Sequence, residues 1–417
     1  MIQNNLNQIK ATPSNHIYII IYITLFWFLL FYSPFFILTD NIVVVLIYLV
    51  ATITFLIIYG KLGKLNLTFF TLLFLICFAI LYQFLFLGIS IVKDIGMVIS
   101  MFCTYLIVAS NPKLIVFAYL KASFLVSIFG IASWFIFIPL DLVLGGLVSN
   151  ALTQISINYD EIGGGRYSLF FLFNTELGSN RNFGIFWEPA VFSFVLIHAL
   201  FLLEFLKLRN VKVPNVYYFV IYLAIITSQS TGGYIFLFLH LLLFNNTIKR
   251  YSLILVPVLI FISILAYTSI DFLGAKINEL FQANNDQDDY HYYSGRLNFA
   301  YMLSEFSISP IFGQGRDWYY DENLAIFALY GARNLNGLAG FLIGYGAIAF
   351  TAFVYLYYKA VNRMFSGHSF IKRILIFLFF LLPHALLDLT YSPLYILLPI
   401  VVLSIESKDD AFNFSNS

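Results

Sequence analysis

The 417-residue chain is 61% hydrophobic and only 10% charged. That is less than half the roughly 25% charged share of soluble domains, which excludes an ordinary globular enzyme and makes this an integral membrane protein. The 22 Lys and Arg against 21 Asp and Glu leave a net charge of +1, so no basic stripe exists to displace counterions from a phosphate backbone, and nucleic acid is excluded as a partner.

Apolar runs of about 15 to 25 residues recur along the chain, and a helix needs about 20 residues to cross a ~30 Å hydrocarbon core at about 1.5 Å per residue. Spans are expected near 17–38, 42–59, 67–88, 95–110, 114–139, 190–206, 216–228, 231–244, 251–270, 334–358, 373–388 and 391–405, about twelve in all. The first run is longer than the apolar part of a secretory signal and no small-residue cleavage site follows it, so it reads as a transmembrane helix. Cys77 and Cys103 lie inside apolar runs and read as small hydrophobes, not as a disulfide or metal pair. The fold class is therefore all-α and polytopic.

Lys and Arg in short loops are retained on the cytoplasmic side. Lys61 with Lys64, Lys113, Lys207 with Arg209 and Lys212, Lys249 with Arg250, and Arg363 with Lys372 and Arg373 fall on alternate loops, with Lys93 as the exception. Both termini are then inside. Two long polar loops, 140–182 and 271–332, face outward and carry most of the carboxylates.

The run Val216 to Phe244 is long for one helix and short for two, yet cations flank both ends. Two short helices meeting at Ser228-Gln229-Ser230-Thr231-Gly232-Gly233 resolve this, because one crossing would export a cationic cluster. The junction is either a plain hairpin turn or a polar tip lining a cavity.

The first long loop closes with Asn180-Arg181-Asn182-Phe183-Gly184-Ile185-Phe186-Trp187-Glu188-Pro189. Pro189 suits a first helical turn, where its missing N–H costs nothing, and Glu188 beside it meets the positive end of the helix dipole. Trp187 and Phe186 suit an interfacial anchor. A second reading has Arg181 and Glu188 flanking a surface turn, in reach of an anionic headgroup and a sugar hydroxyl.

In the second long loop, Ser294 is placed to cap a helix with Arg296 in its first turn and Phe299, Met302, Leu303 and Phe306 at helical spacing until Ser309-Pro310. The pattern predicts a short amphipathic helix on the membrane surface. An arginine at a helix N-terminus is a ready phosphate site, with pairing to a carboxylate such as Glu305 as the alternative. Gly313-Gln314-Gly315-Arg316 follows, a turn whose glycines permit close backbone approach to a ligand. Arg181, Arg296, Arg316 and Arg333 all fall near spans on the side where cations are disfavoured, which phosphate binding explains. The acidic run Asp286 to Asp289 lacks calcium-loop spacing and reads as a solvated face. Within spans, His198 is either a hydrogen-bonded core histidine or a cavity residue. His384 and Asp388, four residues apart on one helix face, are either a proton relay or an Asp-fixed histidine.

Four pieces taken in order resemble the O-antigen polymerase and ligase family. They are Phe186-Trp187-Glu188-Pro189 after an Arg-containing loop, the Ser230-Thr231-Gly232-Gly233 opening, Gly295-Arg296 followed by Ser309-Pro310-Ile311-Phe312-Gly313-Gln314-Gly315, and Asn334 or Asn336 before Gly337-Leu338-Ala339-Gly340. The resemblance spans roughly residues 180–350. It implies a GT-C-like, all-helical enzyme of the bacterial inner membrane that takes glycans from undecaprenyl pyrophosphate on the periplasmic face. A polymerase adds them to another lipid-linked repeat unit, and a ligase adds them to lipid A-core. A chain-length regulator and a flippase are the implied protein partners. By position, Arg296 and Arg316 hold the donor pyrophosphate, Arg181 assists and Arg333 lies near. The family's ligases usually carry His-Asn before the Gly-rich span. Here the pair is Arg333-Asn334, which favours a polymerase over a ligase.

The leaving group is already a pyrophosphate, so the protein must neutralise its developing charge and orient the acceptor hydroxyl. This requires no metal and no cofactor. Glu188 is the first candidate base, then His291 and Asp317, and attack opposite the leaving group inverts the anomeric centre. A lipid-linked oligosaccharide flippase is the rival of a different class. It predicts arginines within spans and internal hydropathy repeats, whereas the arginines here lie in loops and no repeat is visible.

Overall fold

The computed structural model describes residues 42–59, 66–89, 92–136, 143–144, 157–159, 165–167, 181–184, 186, 189–244, 310–315, 337–386 and 393–405. The expected spans 17–38 and 251–270 lie outside the described residues, as does the expected surface helix after Ser294. The described helices are α1 (Ile42–Tyr59), α2 (Leu67–Tyr82, continued by a π turn Gln83–Leu87), α3 (Val92–Ser110), α4 (Pro112–Phe135), α5 (Pro189–Leu208), α6 (Asn215–Thr227), α7 (Thr231–Phe244), α8 (Gly337–Met364), α9 (Phe370–Leu386) and α10 (Pro393–Ser404). Each coincides with an expected apolar run. Among the described residues, four helices are long and apolar enough to cross a membrane: Leu67–Leu87, Pro112–Phe135, Pro189–Leu208 and Gly337–Met364. This is a helical membrane protein. The first long loop adds one element that the sequence reading did not include, a short antiparallel ribbon of β1 (Ile157–Tyr159) and β2 (Gly165–Tyr167) that pairs Ile157 with Tyr167 and Tyr159 with Gly165.

Local chemistry sets the helix ends. The side chains of Asn66 and Asn111 accept from Phe69 N (3.2 Å) and Leu114 N (3.1 Å), capping α2 and α4, with Pro112 in the first turn of α4 where no N–H is needed. Pro189 opens α5 in the same way. Gly88 closes the π turn with φ +67°, a left-handed geometry that glycine adopts without a Cβ penalty.

The chain divides into two units, one of residues 1–62, 110–234 and 405–417, the other of 63–109 and 235–404. In the first, α5 is the axis, buried along nearly its whole length from Pro189 to Leu206. It packs on α4 and α6, and α4 packs on α6. α4 offers Ala118, Ala122, Ser123, Ser127 and Gly130 to this core, small residues that let helix backbones approach closely. The Tyr119 hydroxyl donates to Val195 O at 3.0 Å, tying α4 to α5.

In the second unit α8 is the axis, packed against α2, α9 and α10. One end of α8 is cationic. Lys359 Nζ donates to Thr68 Oγ1 (2.6 Å), Arg363 Nη1 to Leu403 O (2.8 Å), and Arg373 pairs with Asn362. The opposite end is interrupted. Gly346 has φ +78° and ψ 174° inside an otherwise helical run. The continuous part from Gly346 to Arg363 covers about 26 Å at about 1.5 Å per residue, nearly the ~30 Å hydrocarbon core. The break therefore lies nearly one hydrocarbon-core thickness from the cationic end of α8.

Candidate functional site

In the first unit, the segment before α5 is strapped to the α6–α7 turn. Asn182 N donates to Thr227 O (3.0 Å), its Nδ2 donates to Thr227 Oγ1 (2.9 Å), and its Oδ1 accepts from Gly184 N (2.8 Å). Gly184 has φ +58°, and a Cβ there would fall 2.9 Å from the Phe192 ring. Phe186 is buried and stacks on Phe192, centroids 5.7 Å apart. Across the turn, Ser193 Oγ lies 2.8 Å from Ser228 Oγ and also bonds Pro189 O at 2.9 Å. Ser230 Oγ caps α7 by accepting from Gly233 N (3.2 Å), and a Cβ on Gly233 would fall 2.6 Å from Ser193 Oγ. Thr231 and Gly232 open that helix. Arg181, half-buried, acts electrostatically on the phenol of Tyr234, whose hydroxyl donates to Ile226 O at 2.9 Å. The turn is thus both a hairpin and the dock of the Arg181 segment.

In the second unit, Pro310–Gly315 fills the break in α8. In a continuous helix Ala347 N–H would bond Ile343 O. Here Ile343 O accepts from Gln314 N (2.8 Å), Gly344 O accepts from Gly315 N (3.1 Å), and Ala347 N donates to Pro310 O (2.9 Å). The inserted segment takes the partners that the helix gave up, which is how irregular backbone survives at membrane depth. The fit is backbone on backbone. A Cβ at Gly313 would lie 2.4 Å from Gly344 O, and one at Gly346 would lie 2.1 Å from Ile311 O. Gln83, in the π turn of α2, is buried and clamps the junction, its Nε2 donating to both Phe312 O and Gly344 O at 2.7 Å. Two carbonyl acceptors around one amide end fix that end as the NH2 group. Phe312 sits against Tyr82, centroids 4.6 Å apart, and Phe78, 5.4 Å. Beside the break the Tyr345 hydroxyl donates to the buried Asp94 carboxylate at 2.5 Å and contacts Met97 Sδ at 3.3 Å.

No protein-family model, curated protein or solved structure matches the chain.

Of the residues singled out from sequence, Arg181, Ser230, Thr231 and Gly232 meet around the first turn, and Gly313 and Gly315 line the second junction. His198 bonds Phe194 O through Nδ1 (2.9 Å) in the buried centre of α5, its ring 4.2 Å from that of Phe194. His384 is buried with its ring edge-on to Phe353 and Tyr357. Glu188, His291, Asp317, Arg296, Arg316, Arg333, Asn334 and Asp388 lie outside the described residues. The sequence reading passed over Asn182, Ser193, Gln83 and Asp94. Gln83 carried a usable signal, a lone amide in the apolar run Leu72 to Leu87, because polar groups at depth need a partner. Asp94 stood directly before an expected span.

Proposed function

We propose that this protein is a polysaccharide polymerase of the bacterial plasma membrane. It transfers a glycan from undecaprenyl pyrophosphate to the hydroxyl of another lipid-linked repeat unit on the outer face, with inversion and without a metal. One observation carries the reading: two pieces of the family resemblance pack together in the first unit, and a third packs in the second unit against the Gly-rich span that the fourth opens. The Arg181–Pro189 segment docks on the Ser228–Gly233 turn through Asn182 and Thr227. Pro310–Gly315 docks on Ile343–Ala347, further along the Gly-rich span that Gly337-Leu338-Ala339-Gly340 opens.

Chemically, Arg181 beside the N-terminus of α7 is a site for an anion, since helix N–H groups and a guanidinium both favour phosphate oxygens. Arg296 and Arg316 are proposed to hold the donor pyrophosphate, with Arg333 near, and Glu188, His291 or Asp317 to take the acceptor proton. About twelve spans with both termini inside and the loops 140–182 and 271–332 outside complete the topology. The interrupted α8 favours a second reading, a flippase for lipid-linked oligosaccharides, because transporters build sites on discontinuous helices.

Purified protein given synthetic undecaprenyl-pyrophosphate repeat units separates the two. A ladder of chain lengths is expected, and Arg296→Ala and Arg316→Ala should abolish it while expression and membrane insertion stay normal. Intact substrate with no ladder, together with transbilayer movement of the lipid in proteoliposomes, would replace the polymerase by the flippase. Extension onto lipid A-core alone would make it a ligase.

A further inference from the structure

We propose that Gln83 is a positioning residue: it holds Pro310–Gly315 inserted in the break of α8 and so fixes where the chain reaches Arg316, the next residue. The pyrophosphate role of Arg316 rests on the function proposed above, but the insertion does not.

The junction is a hydrogen-bond exchange between two arrangements of the same groups. If α8 were continuous, Ile343 O would return to Ala347 N–H and the inserted segment would have to leave, its Gln314 and Gly315 N–H groups losing Ile343 O and Gly344 O. In the observed arrangement the segment supplies those bonds. Gly346 admits both forms, because glycine reaches φ +78° as readily as helical φ. Gln83 favours the docked form, because its amide bridges the two partners only with the segment in place, one N–H on Phe312 O of the segment and the other on Gly344 O of α8. Gln83 lies in the span rather than in a loop, so it anchors the segment to α2 and not to other loop residues. The aromatic seat of Phe312 between Tyr82 and Phe78 marks the same docked state on the α2 side.

The test has a structural arm and a binding arm, both on the full-length protein with Cys77 and Cys103 replaced by alanine. In the structural arm, the pair Tyr82→Cys and Phe312→Cys is bridged by a short bifunctional thiol reagent. Efficient bridging is expected, falling at least about fivefold on adding Gln83→Leu, which removes both donors from buried carbonyls. It should fall similarly on adding Gly346→Ala, which favours the continuous helix and cannot accept Ile311 O. Gly346→Ala keeps the arm decisive should Gln83→Leu fail to give a monodisperse protein. No bridging without either change, or undiminished bridging with both, overturns the insertion.

In the binding arm, affinity for undecaprenyl pyrophosphate is measured for Gln83→Leu, Arg316→Ala and the double variant. Each single change is expected to weaken binding about tenfold and the double change no further, since a residue acting through Arg316 cannot add to its loss. Additive losses would overturn the positioning role. Failure of the unaltered protein to bind the lipid would instead remove the proposed function and leave the structural arm standing.

Discussion

Asn182 shows how one side chain organises a junction. Its Nδ2 donates to Thr227 Oγ1, its oxygen takes Gly184 N–H, and Gly130 of α4 leaves the space it occupies, since a Cβ there would fall 3.0 Å from Asn182 Oδ1. Asn182→Ala keeps the backbone bond to Thr227 O but strands the Gly184 N–H in a buried place, at a cost of about 1–3 kcal/mol. The thermal midpoint in detergent should fall accordingly. Asn182→Asp retains the acceptor but buries a carboxylate facing Thr227, and should fall at least as far. Equal midpoints in all three proteins would mean that the segment is held by something other than Asn182. This residue was not legible in sequence, because an Asn beside an Arg in a polar loop looks like any solvated amide until its partner on α6 is known.

At the scale of elements, hydropathy located the helices well. α2, α5, α6 and α7 begin and end within about three residues of the runs that foretold them, as boundaries set by apolar periodicity and capping should. The break in α8 was invisible for a physical reason. Gly344-Tyr345-Gly346 sits in an apolar run where glycine is common in membrane helices, and what opens the helix there is a segment some thirty residues earlier in the chain, which no local pattern encodes. In the same way Gly313-Gln314-Gly315 was read as a turn for close approach of a ligand. The close approach is real, but its partner among the described residues is the backbone of α8. α4 packs through its small residues. Ala122 is fully buried in the α4 core, while Ile128 on the same helix is 41% exposed. Ala122→Leu should therefore lower stability by about 1–3 kcal/mol through overpacking, whereas Ile128→Leu should leave the midpoint unchanged. A tolerated Ala122→Leu would show that α4 does not pack by its small residues.

For the whole molecule the deciding question is which way it faces. The cations at the α8–α9 turn are tied to the protein, Arg363 on Leu403 O and Arg373 with Asn362, and the proposed topology puts them on the cytoplasmic side. On the proposed topology α8 runs outward from its cationic end to its break, and the inserted Pro310–Gly315 segment would lie toward the outer face. Cysteine labelling tests this in cells. With Cys77 and Cys103 replaced by alanine, Ser366→Cys in the exposed α8–α9 turn should resist a membrane-impermeant maleimide until the cells are opened. Ser156→Cys, in the first long loop, should react in intact spheroplasts. The opposite pattern would turn the break, the Gly-rich segment and the loop arginines toward the cytoplasm. Substrate assembled for export is no longer on that side, so a polymerase reading could not survive it. The helices themselves would stand unchanged, because span positions follow from hydrophobic length, whereas orientation rests on the placement of a few cations.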